Sequence, residues 1–110
     1  MAGLSVGDLA GEMLQAVKAS LGKDYSKAKD FARPELQRLA RSLVDIAKLV
    51  AAGKVTKQQA KSLVAIHQNT TRVVFLTIEG LGIIAVENAL NAAIGAIRNA
   101  VNGAVKFALL

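Results

Sequence analysis

The chain holds one histidine, His67, and eight carboxylates, so metal binding and acid–base catalysis are the first chemistries to weigh. Carboxylate-bridged dimetal bundles use Glu-x-x-His pairs on facing helices, and position 64, three before His67, is a valine. A metal would therefore need Glu12 or Glu79 brought to His67 from elsewhere in the chain. A Ser-His-Asp triad requires a fixed mutual geometry, which one histidine among scattered acids does not specify. No cysteine is present, which removes disulfides, thiolate zinc sites and cysteine nucleophiles. The residues predict a non-catalytic protein with no cofactor and no metal site. His67 is then a helix-side or interface residue.

Two short motifs invite a cofactor reading. TRVVFLTIEGLGIIA, from Thr71 to Ala85, has a β-branched run followed by G-x-G-x-x-A at Gly80, Gly82 and Ala85. In a dinucleotide-binding turn such glycines let backbone amides approach a pyrophosphate at a helix N-terminus. That fold needs further strands and an acid about twenty residues downstream for the ribose. After Glu87 this chain offers no acid, and residues 1–62 carry helical patterns only. Tyr25 and Lys29 share the Y-x-x-x-K spacing of short-chain dehydrogenases, again without a cofactor domain around them. The glycines are better read as a turn between two helices, and Tyr25 and Lys29 as surface residues one helical turn apart.

Charge points to partners more than to catalysis. Residues 1–72 hold twelve of the fourteen basic groups and six of the eight acids, and so the whole net charge of +6. Lys18, Lys23, Lys27, Lys29, Arg33, Arg38 and Arg41 form a basic run suited to phosphate contacts. Asp24, Asp30, Glu35 and Asp45 dilute it, and no stacking aromatics accompany it. A solvated face is expected there, with nucleic acid the lesser alternative. The opening MAGLSVGDLAGEM lacks a basic n-region and a long apolar core, so a cytoplasmic protein is expected.

The elements that must position these groups are helices. Length and composition (110 residues, 53% hydrophobic, one proline) predict one domain spanning residues 1–110. Ser5 and Asp8 read as a capping pair, with Leu4 and Leu9 as a staple. Val6, Ala10, Met13, Val17 and Leu21 then recur at helical spacing up to Gly22. Leu36, Leu39, Leu43, Ile46 and Val50 mark a second helix, kinked at Pro34 and stopped at Gly53. Thr56 and Gln59 form a capping box for a third, which runs through Ala60, Val64, His67, Thr71, Val74 and Ile78. Its middle, HQNTTR, is polar for six residues, as for a segment that is wet or makes specific hydrogen bonds. Gly80 is expected to end it in a Schellman stop, with Leu81 touching Leu76. The fourth seam is Ile83, Val86, Leu90, Ala93, Ile97, Ala100, Ala104 and Phe107. The expected fold is all-α: helices over 5–22, 24–53, 56–79 and 83–108 in an up-down-up-down bundle without sheet.

The fourth helix holds the least ordinary pattern. ENALNAAIGAIRNAVNGA, from Glu87 to Ala104, places Asn88, Asn91, Gly95, Asn99, Asn102 and Lys106 on one stripe opposite the seam. Exposed stripes ordinarily carry Lys, Glu, Arg and Gln, which favour helix and solubility. Ala92, Ala96, Ala100 and Ala104 add a ridge of small residues that permits close backbone approach. Asparagines on packed helices fix register across an oligomer interface, and small residues with amides also suit helix contacts in a membrane. A ligand cleft lined by amides is a third setting, and an ordinary exposed face is the plain alternative to all three. The expectation is self-association through Asn88, Asn91, Ala92, Gly95, Ala96, Asn99 and Asn102, giving a homo-oligomer with Leu109 and Leu110 tucked into a neighbour. The alternative is a cationic helical protein on an anionic membrane surface. Glu79, Glu87, Arg98 and Lys106 argue against a spanning segment.

Overall fold

The computed structural model describes residues 4–110. Among them every regular element is helical: α1 (Val6–Leu21), a 3-10 turn (Gly22–Asp24), α2 (Tyr25–Ala51), α3 (Lys57–Leu76) and α4 (Ile83–Val105). No strand occurs among the described residues. The expectation of an all-α chain holds, and α1 ends at Gly22 as expected, but a 3-10 turn and not a loop separates the first two helices. The 3-10 turn joins α1 to α2 directly, so residues 6–51 form one nearly continuous helical run folded at Gly22, where φ is +56°.

Local signals set the helix ends. Ser5 Oγ accepts from the Asp8 N–H at 3.3 Å, as the capping pair predicts. At α3 the capping box closes both ways: Thr56 Oγ1 accepts from Gln59 N–H at 3.0 Å, and Gln59 Oε1 from Thr56 N–H at 2.8 Å. Each such bond satisfies an amide that the first helical turn leaves without a partner. α2 ends in a Schellman motif. The Lys54 N–H reaches Leu49 O and the Gly53 N–H reaches Val50 O, both at 3.0 Å, with Gly53 at φ +70°. Pro34 lies inside α2 without ending it. Pro34 and Asp30 are both exposed, so water can reach the Asp30 carbonyl that proline leaves unbonded.

Other ends differ from expectation. α3 stops at Leu76 and not near Glu79: the Thr77 N–H still reaches Val73 O at 3.2 Å, but the Ile78 N–H turns to Phe75 O at 3.1 Å, only three residues back. Gly80 does take positive φ (+89°), but within a separate turn where Leu81 N–H bonds to Ile78 O at 3.3 Å. α4 ends at Lys106, the only described non-glycine residue at positive φ (+65°).

α1 packs most extensively on α4 and α2, and α2 on α3, while α3 meets α4 over a smaller area. The molecule measures 42 × 22 × 19 Å. Its core is built from aliphatics with one aromatic: Met13, Val17, Leu36, Leu39, Leu43, Phe75, Val86, Leu90, Ile97 and Val101 are fully buried. Two seam expectations are corrected. On α3, Phe75 takes the buried position while Val74 is half-buried. On α4 the seam passes from Ile97 to Val101, leaving Ala100 exposed, Ala104 half-buried and Ile83 at 70% exposure. A step of four from Ile97 buries a valine in place of an alanine, which removes more apolar surface from water.

Candidate functional site

The polar middle of α3 bonds to the helices on either side of it. Thr71, fully buried, donates its hydroxyl to Glu35 Oε2 on α2 at 2.7 Å. Arg38 lies one turn after Glu35 and forks onto it, with Nε 3.1 and 3.0 Å from the two oxygens and Nη2 2.6 Å from Oε2. Arg38 Nη2 also donates to Thr71 Oγ1 at 3.2 Å, and Nη1 lies 3.5 Å from His67 Nδ1. That last contact is a hydrogen bond only in the His67 tautomer protonated on Nε2. His67 thus sits beside a guanidinium, a poor neighbour for a bound cation. Arg72 donates from Nε to Glu87 Oε2 on α4 at 2.6 Å and also bonds Asn69. The HQNTTR segment therefore fastens α3 to both neighbours by polar contacts.

The cofactor motifs resolve locally. The residues before Gly80 are helical through Leu76, so no strand leads into the glycines, and Gly82 is the N-cap of α4. Lys27 Nζ donates to the Gly80 carbonyl at 3.4 Å. Tyr25 is half-buried beneath Lys18, whose Nζ is 5.4 Å from the ring centroid, whereas Lys29 is exposed. Three of the seven basic residues of the run are engaged: Lys18 sits over Tyr25, Lys27 pairs with Asp24 at 3.2 Å, and Arg38 is held by Glu35.

The asparagine stripe forms the outer face of α4. Asn88, Asn91, Gly95, Ala96 and Asn99 are exposed and Ala92 is half-buried, opposite the buried Val86, Ala89, Leu90, Ala93, Ile94, Ile97 and Val101. Their amides point away from the interior, so the setting of an amide-lined cleft inside the bundle does not apply. A cavity of about 90 Å³ between α1 and α2 is lined instead by Gly7, Ala10, Gly11, Leu14, Arg33 and Gln37. Along the α4 face the glycines have room. A methyl group built on Gly95 or Gly103 would meet no atom within 4 Å, so neither glycine serves close packing inside this chain.

Asn102 departs from the other asparagines. Its Oδ1 accepts from the N–H groups of Leu109 and Leu110 at 2.9 Å, and its Nδ2 donates to Leu110 O at 3.4 Å. The C-terminal tail folds back on its own helix, with Leu109 buried at 5% exposure. The expectation that Leu109 is tucked into a neighbour is corrected: its own core takes it. Sequence reasoning also missed the apolar end of the stripe. Ile84 is 76% exposed, and Val73, Leu76 and Ile83 are exposed beside the turn joining α3 to α4. Four residues before Asn88, Ile84 belongs to the same helical face, a spacing that was available in the sequence.

No protein family, curated protein or solved structure compared with the chain matches it. Among the described residues, no helix is long and apolar enough to cross a membrane.

Proposed function

We propose that this protein is a non-catalytic assembly protein of the cytoplasm, an up-down-up-down four-helix bundle that self-associates through the outer face of α4. One observation carries the reading. The exposed stripe Asn88, Asn91, Gly95 and Asn99 has no charge and holds a glycine with open space above it. A helix-interior glycine costs about 1 kcal/mol relative to alanine, and nothing within the chain repays that at Gly95. Close approach by another helix would. Short amides on such a face can pair across an interface that long charged side chains would hold apart.

Light scattering at micromolar concentration tests this with wild type and Asn99→Lys. A dimer or larger assembly that dissociates in the variant supports the proposal, because a charge is then forced into a packed seam. On a merely exposed face the lysine is neutral or slightly favourable. A monomeric wild type, or a variant that assembles unchanged, removes the proposal.

A second reading rests on a different observation. Val73, Leu76, Ile83 and Ile84 leave large apolar surface at one end of a chain of net charge +6. Such a tip suits docking on an anionic bilayer. Co-sedimentation with anionic vesicles but not with neutral ones, from a monomeric wild type, would favour it.

A further inference from the structure

The stripe on α4 reads the same in both directions. Asn88, Asn91, Gly95, Asn99 and Asn102 are separated by three, four, four and three residues, so the row is symmetric about Gly95. We infer, resting on the self-association reading, that the partner is a second copy packed antiparallel on α4, with a two-fold axis beside Gly95.

A two-fold interface is self-complementary: each residue before the axis meets the one equally far beyond it. Asn91 then faces Asn99 of the partner subunit, Asn88 faces Asn102 of the partner subunit, and the two Gly95 backbones meet at the axis. A carboxamide has one acceptor oxygen and two N–H donors, so two facing asparagines complement each other. The pair of Asn91 and Asn99 is formed twice, and both amides are exposed within one chain. The outer pair is weaker. The tail takes Asn102 Oδ1 and, through Leu110 O, one hydrogen of its amino group, which leaves one N–H to donate to Asn88.

The remaining residues on the face favour the antiparallel over the parallel arrangement. Parallel, in-register helices would set Arg98 against Arg98 and Lys106 against Lys106, and like charges across an interface are costly. Antiparallel helices set Arg98 opposite Ala92 and Lys106 opposite Ile84, whose side chain is 76% exposed in the single chain. The aliphatic stem of a lysine covers such a surface while its ammonium stays in water. Opposed helix dipoles add in the same sense. From Ile84 to Lys106 the face is about 33 Å long at 1.5 Å per residue. One helix face of that length buries less than the roughly 800 Å² per partner of a standard interface. An interface of that size belongs with weak, reversible association.

The absence of native cysteine makes the arrangement directly testable. Asn91→Cys and Asn99→Cys are oxidised separately, mixed, and as the double variant, beside light scattering of wild type. In the antiparallel dimer the mixture yields a 91–99 disulfide, and the double variant yields a doubly linked dimer. Each single variant alone stays uncrosslinked, because its two cysteines are about 12 Å apart along the helices, beyond the ~7 Å limit for a disulfide. Equal crosslinking of the single variants, from a wild type that does associate, overturns the antiparallel inference and leaves self-association through α4 standing. An associating wild type with no crosslink in any sample places the interface elsewhere and overturns both. A monomeric wild type does the same.

Discussion

Replacing Arg38 by alanine tests whether the polar seam between α2 and α3 holds the fold together. Glu35 is 8% exposed and Thr71 is fully buried; they bond each other directly, and Arg38 closes the triangle by donating to both. Without Arg38 the Glu35 carboxylate keeps one hydrogen bond, from Thr71 at 2.7 Å, and loses its three contacts with the guanidinium. Breaking a fully buried ion pair costs about 3–5 kcal/mol, because the remaining charge stays desolvated. The Arg38 side chain is 37% exposed, so water can enter where it stood, and the cost is discounted to about 2–3 kcal/mol. For a domain of this size about 1 kcal/mol moves the melting temperature by roughly 4 °C, so a fall of about 8–12 °C is expected. Far-ultraviolet circular dichroism reads the transition, since the chain has no tryptophan and one tyrosine. Thr71→Val is the companion: it removes one hydroxyl at nearly constant shape, and about 1–2 kcal/mol is expected. The double variant should cost less than the sum, since all three groups share one network. A melting temperature for Arg38→Ala within 2 °C of wild type would refute the reasoning. So would strict additivity with Thr71→Val.

Three further outcomes follow from individual contacts. Asn102→Ala should free the tail, because it removes both 2.9 Å bonds to the Leu109 and Leu110 amides. Their hydrogen exchange should rise well above wild type, and unchanged protection would deny that Asn102 holds the tail. Gly53→Ala should lower stability by about 1–2 kcal/mol in a urea titration, because residue 53 sits at φ +70°. An equally stable variant would show that α2 can end without a left-handed residue. Duplex and single-stranded nucleic acid should bind no tighter than the roughly 10⁻⁴ to 10⁻⁶ M of non-specific binding, since Lys18, Lys27 and Arg38 are engaged within the chain. Sub-micromolar binding that weakens steeply with salt would contradict this.

What the sequence determined by itself lies within a few residues along the chain. The Ser5 cap, the Thr56–Gln59 box, the passage of α2 through Pro34 and its stop at Gly53 all depend on groups no more than about a turn apart. So does the outward placement of Asn88, Asn91, Gly95 and Asn99, since helical period alone puts them opposite Val86, Leu90, Ala93 and Ile97. Only the tertiary structure decided which distant groups would compete for a position. Spacing puts Thr71 on the inner face of α3, but its partner there, Glu35, lies thirty-six residues earlier, and no local pattern pairs the two. The Asn102 amide is spent on the returning tail, although by spacing it looks like the other asparagines. The lower half of the α4 seam moved from Ala100 to Val101 for a related reason. Helical period tolerates a step of either three or four, and the choice falls to whichever side chain the neighbouring helices bury better.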